Sequence, residues 1–134
     1  MDESLRRLVW RRANACCEYC RLPQRFSSIP FEIDHVVAEQ HHGLTTASNL
    51  ALSCFYCDRF KGPNLSGIDP RTRRKVSLFH PRRHKWSRHF KWDGPALVGR
   101  TPVGRATIVV LNLNMDLRLD QRQSMIEEGV FPPA

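Results

Sequence analysis

The sequence predicts a small α+β fold whose core is held by a cluster of cysteines, and three observations predict it. Cys17 and Cys20 form one C-x-x-C pair, and Cys54 and Cys57 form a second. The chain between and just beyond those pairs reads strand, long loop, strand, helix. Helical patterns stand at the two ends of the chain, with further strand-like runs between. At 134 residues the chain fits one core, because two would each be small enough that burial barely offsets chain entropy. One domain over residues 1–134 is therefore expected, with a metal-binding part over about 16–62 and a basic, helical part over about 71–129.

The elements follow in order. Between Asp2 and Ala15, Leu5, Leu8, Val9 and Arg12 recur at helical spacing behind an acidic start, which predicts an amphipathic helix leading into the cysteines. Residues Arg21 to Pro30 read as loop. The run PFEIDHVVA then has the β-branched, apolar character of a strand with His35 near its end. EQHHGLTTASN is rich in turn residues, NLALSC reads as a second short strand, and FYCDRFKG as one or two helical turns closed by Gly62. PNLSGIDP reads as a loop joining the two parts. VSLFH and ALVGR have strand composition. Thr101 before Pro102 predicts a capped helix running towards Asn112, and Asp116 is expected to cap a last helix that ends near Glu128 and stops at Gly129.

Two C-x-x-C pairs across a long loop can aim four thiolates at one tetrahedral ion, and zinc is the natural occupant. A disulfide framework fits poorly with five cysteines in a chain without an apolar leader, and a redox pair needs only one C-x-x-C. With all four positions filled by Cys17, Cys20, Cys54 and Cys57, such a zinc is structural rather than catalytic. Cys16 is expected to be a small buried residue outside the set.

The balance of 21 Lys and Arg against 13 Asp and Glu gives a net charge of +8, which favours a polyanionic partner. Nine of those cations, Arg71, Arg73, Arg74, Lys75, Arg82, Arg83, Lys85, Arg88 and Lys91, fall in one stretch without an acid among them. Phe79, Trp86, Phe90 and Trp92, with His80, His84 and His89, are interleaved there as candidate stacking surfaces and phosphate donors, some of them also core. No apolar run approaches the ~20 residues of a bilayer span, so no membrane association and a cytoplasmic address are expected.

Candidate chemistry lies between the knuckles. Asp34 and His35 are adjacent at a strand end, where both side chains can line one cavity. Asp34 and Asp58 could hold a hard divalent cation, and an imidazole such as His35 can take a proton from water near neutral pH. The segments CEYC, IDHVVA and SNLALSCFYCDRFKG together resemble the four-cysteine branch of the HNH endonuclease family over about residues 17 to 62. The resemblance implies a ββα-metal core, one catalytic Mg²⁺ or Mn²⁺, His35 as general base, Asp34 as a metal ligand and Asn49 as the residue that fixes the loop and orients the histidine. At the third motif position the family usually has His or Asn, whereas this chain has Asp58, an oxygen ligand that favours hard metals. Lys61 resembles a position often basic in the family, with phosphate as its expected contact. The further pattern SGIDPRT, LFHPRR and W-x-x-HF resembles compact bacterial members and makes His80, Arg82 and His89 secondary candidates.

The function expected is thus metal-dependent hydrolysis of DNA phosphodiester bonds, with RNA left open as substrate and no organic cofactor. The alternative is a zinc-stabilised nucleic-acid-binding module without catalysis. A zinc-knuckle scaffold for another protein is a third reading. His41 and His42 are expected to face solvent, and oligomeric state is open.

Overall fold

The computed structural model describes residues 1–134. Helix α1 (Glu3–Arg12) is capped as its sequence predicts, the Asp2 carboxylate accepting from the Ser4 N–H at 2.7 Å. Its inner face buries Val9 and stacks Trp10 on Phe31, and Arg12 donates to the Leu50 carbonyl at 2.5 Å. That contact lays α1 over the strand carrying Leu50.

Strands β1 (Glu32–His35) and β2 (Leu50–Ser53) pair antiparallel, with His35 opposite Leu50 and Asp34 opposite Ala51. All four β2 residues are buried, because α1 lies against the strand and its other edge is used too. The Glu18 N–H donates to the Leu52 carbonyl and the Leu52 N–H donates to the Glu18 carboxylate, both at 2.9 Å. The first knuckle is thereby sewn to β2. Helix α2 (Phe55–Lys61) follows at once, capped by the Cys54 sulfur and ended by Gly62 at φ +50°.

The second part is built from two more hairpins and three helices. β3 (Ser66–Ile68) pairs with β4 (Lys75–Ser77), the short helix α3 (Trp86–His89) leads into β5 (Phe90–Asp93), and β5 pairs with β6 (Ala96–Gly99). Helix α4 (Pro102–Val110) begins at the expected Thr101 cap, whose hydroxyl accepts from the Gly104 N–H at 3.0 Å. Helix α5 (Asp116–Glu127) closes the order, with Met115 at its cap and Asp116 in its first turn, one residue from the capping role expected of it.

The architecture is α+β, and one cluster of 21 buried residues runs from Val9 through the four metal-site cysteines, Phe79 and Leu111 to Phe131. Three expectations change. Ser66–Ile68 is a strand rather than loop, because the turn at Asp69 folds the chain back onto β4. VSLFH is strand only as far as Ser77. Phe79 leaves the sheet and donates its N–H to the Thr107 hydroxyl at 2.9 Å, which draws it under α4. α3 and β5 had no counterpart in the reading of the sequence, since histidines and tryptophans among cations obscure a short amphipathic period. No helix is long and apolar enough to cross a membrane.

Candidate metal centre and active-site cleft

The sulfur atoms of Cys17, Cys20, Cys54 and Cys57 all lie within 4.8 Å of one another, buried and unbridged by disulfides. The Cys20 and Cys54 sulfurs are 3.7 Å apart, against an edge of about 3.8 Å for a tetrahedron with metal–sulfur bonds of ~2.3 Å. The arrangement can hold one tetrahedral ion and leaves it no open position. Cys16, although buried, stands outside the cluster.

Four thiolates around a divalent ion leave two excess negative charges, which a buried centre must offset. Arg118 of α5 does so, donating to the Cys57 sulfur at 3.0 Å and to the Leu111 carbonyl at 2.9 Å while only 3% exposed. Burial opposes its charge, but the sulfurs of Cys57, Cys20 and Cys54 more than offset this and raise its pKa. Arg122, one turn on, is also buried and donates to the Leu113 and Pro95 carbonyls. The sequence held one signal for this pair: two arginines four apart on the face of α5 that also carries Met125.

The second site is open. Asp34 and His35 at the end of β1 and Asp58 of α2 line one cleft of about 360 Å³, together with Glu39. Both neighbours on the strand reach it, as a strand end allows. The Asp34 carboxyl is largely buried, one of its oxygens has no hydrogen-bond partner, and the Lys61 ammonium is 3.7 Å away. Burial pushes this carboxyl up to about 6, with Asp58 adding to the rise and Lys61 and His35 opposing it. Two carboxylates on one open cleft fit a hard divalent cation.

His35 Nε2 lies 2.9 Å from the Thr45 hydroxyl and 3.5 Å from a Glu39 carboxylate oxygen. Neither partner was singled out from the sequence, although Glu39 stands four residues after His35. Asn49 is buried and spends its whole amide on the loop. It accepts from the Val37 N–H at 2.9 Å and donates to the Val37 and Leu44 carbonyls at 3.0 and 2.9 Å. It makes no side-chain bond to His35, so the structure places it as the clamp of the loop behind the histidine. Gly43 sits so close within that loop that any side chain would collide with the Val37 carbonyl. His41 and His42 are exposed, as expected.

Two expected phosphate contacts are placed elsewhere. Lys61 is 2% exposed and donates to the Val36 carbonyl at 2.8 Å, because the helix turns its stem into the core beside Asp34. Arg82 is paired with the buried Glu18 carboxylate. The other eight cations between residues 71 and 91 are exposed. Arg71, Arg73, Arg74 and Lys75 ride on the β3–β4 turn, which the buried Asp69 braces through its own turn N–H groups and a bidentate pair with Arg105 at 2.9 and 3.0 Å. The stacking surfaces are corrected as well. Phe79 and Phe90 are core, His80 and His89 are buried, and Trp86 donates its ring N–H to the Tyr19 carbonyl at 2.8 Å, fastening the basic part to the first knuckle.

Residues 17–63 match the family model described as HNH endonuclease. No curated protein matches the chain, and no solved structure does.

Proposed function

We propose that this chain, which carries an HNH endonuclease domain across residues 17–63, cleaves DNA phosphodiester bonds with His35 as general base and one divalent ion on Asp34 and Asp58. A nuclease-type function and a nucleic-acid substrate follow from the domain. The observation that carries the finer reading is the convergence of Asp34, His35 and Asp58 on one open cleft. The β1, β2, α2 order is the ββα-metal core in this reading, and zinc is the structural ion of the four cysteines.

With the His35 proton on Nε2, towards the Thr45 hydroxyl at 2.9 Å and the Glu39 carboxylate at 3.5 Å, Nδ1 is left to take the proton of a water attacking phosphorus. Glu39, with a carboxylate oxygen 3.5 Å from Nε2, helps to orient the ring. Asn49 keeps the 37–44 segment in place behind it, and Lys61 holds the Asp34 carboxylate from its buried side. Asp34 and Asp58 would hold Mg²⁺ or Mn²⁺, which would supply electrostatic stabilisation of the negative charge that develops as the phosphodiester is cleaved. Exposed cations at residues 71–75 and 83–91 grip the phosphate backbone without reading bases.

The test is nicking of supercoiled plasmid by purified protein with Mg²⁺ or Mn²⁺. Metal-dependent nicking is expected, with a loss of ~10²–10⁴-fold in His35→Ala and DNA binding retained. Wild-type rates in that variant would remove His35 from the mechanism. Salt-sensitive binding with no cleavage by the wild type would leave a zinc-stabilised binding module.

A further inference from the structure

A second cavity, of about 270 Å³, opens beside the cleft and has no part in the chemistry above. The two share the same pair of chain segments. Residues 34–35 and 38–40 line the cleft while Val36 and Val37 line the cavity, and Gly62 and Pro63 line the cleft while Lys61 and Asn64 line the cavity. Its far wall is the loop bearing His80, Arg83 and His84.

We propose that this cavity is a phosphate-binding subsite formed by His80, Arg83 and His84, which takes a backbone phosphate of the nucleic acid beyond the one being cleaved. The proposal rests on the nucleic-acid substrate of the reading above. No carboxylate lines the cavity, and Arg83 places an unpaired positive charge on it, while the buried Lys61 ammonium behind the wall is taken by the Val36 carbonyl and Asp34. The backbone fixes the state of both rings. His80 Nδ1 accepts from the Arg82 N–H at 3.2 Å and His84 Nδ1 from the His80 N–H at 2.9 Å. Each neutral imidazole therefore carries its proton on Nε2, and neither Nε2–H has an acceptor within the protein.

Burial, reinforced by Arg83, pushes His80 down to about 4 and lowers His84 in the same way, so both rings are neutral donors at pH 7. Two neutral imidazoles would also suit a transition metal, but Arg83 without any carboxylate opposes a cation there. The wall is preorganised. Arg82, between the two histidines, is locked to Glu18, which itself holds β2 beside the first knuckle. Leu65, Leu78 and Phe79 complete the cavity with an apolar floor on which a sugar can rest.

The experiment uses the full zinc-loaded chain, ¹⁵N-labelled, with long-range ¹H–¹⁵N spectra of the histidine rings. It is titrated with a short DNA duplex without added Mg²⁺ or Mn²⁺ and, in parallel, with inorganic phosphate. The duplex is expected to shift the Nε2 signals of His80 and His84. Arg83→Ala, which removes an exposed side chain with no hydrogen bond of its own, should weaken duplex binding several-fold by fluorescence anisotropy and lower the salt slope by about one. Ring signals unmoved by either ligand overturn the subsite. Signals that move with inorganic phosphate and not with the duplex overturn the backbone assignment and leave free phosphate as the ligand. Plasmid nicking on the same preparation separates the two readings. Nicking with silent rings overturns the subsite alone, and responding rings without nicking overturn the nuclease mechanism alone.

Discussion

Cys57 and Asp58 are neighbours in α2, yet one belongs to a closed centre and the other to an open cleft. Successive helical residues point about 100° apart, so one turn of helix serves both. Around Cys57 the four sulfurs are buried, and Arg118 offsets their charge. Around Asp58 the site faces solvent, and Asp34 meets only the Lys61 ammonium, at 3.7 Å on its buried side. The difference separates a closed cluster that could hold a structural ion from an open cleft within reach of a ligand.

That contrast can be broken at three points. Cys57→Ser should have the largest effect, because structural zinc in small domains contributes roughly 10–16 kcal/mol of apparent binding energy to folding. The variant should lack zinc and lose its cooperative melting transition by circular dichroism; a soluble, zinc-free protein with the wild-type melting curve would erase the distinction. Asn49→Ala comes next. It removes three buried hydrogen bonds to the 37–44 loop, costs about 2–4 kcal/mol by chemical denaturation, and lowers cleavage further than the stability loss explains, through a misplaced His35.

Asp34→Asn should perturb stability least. Burial raises this carboxyl from its ordinary range to about 6, so in the metal-free protein its ionised form is penalised above that pH and the penalty fades as pH falls towards 4. The neutral amide should therefore melt no lower than wild type near pH 7 while cleavage falls at least 100-fold. A large drop in melting temperature would mean that the cleft, like the cysteine centre, is built for folding.

The same contrast explains how much was legible. The cysteine spacing, the strand bearing Asp34 and His35, the Thr101 cap and the stop at Gly62 could each be read because each is set within a few residues of chain. Glu39 and Thr45, the partners of His35, lie inside a turn-rich loop whose path depends on the Asn49 clamp. The β3–β4 hairpin was hidden because its turn is stabilised by Arg105, far along the chain.

By itself, then, the sequence determined the four-cysteine cluster, the order of elements around it, the candidate base and carboxylates, and the excess of positive charge. Tertiary structure alone decided which charges are free and which are spent. Lys61 went into the core beside Asp34, Arg82 onto Glu18, and Arg118 onto the cysteine sulfurs, while the Arg71–Lys75 turn stayed in water. The physical reason is that charge is a property of a residue, but its availability depends on burial and on partners supplied by distant segments.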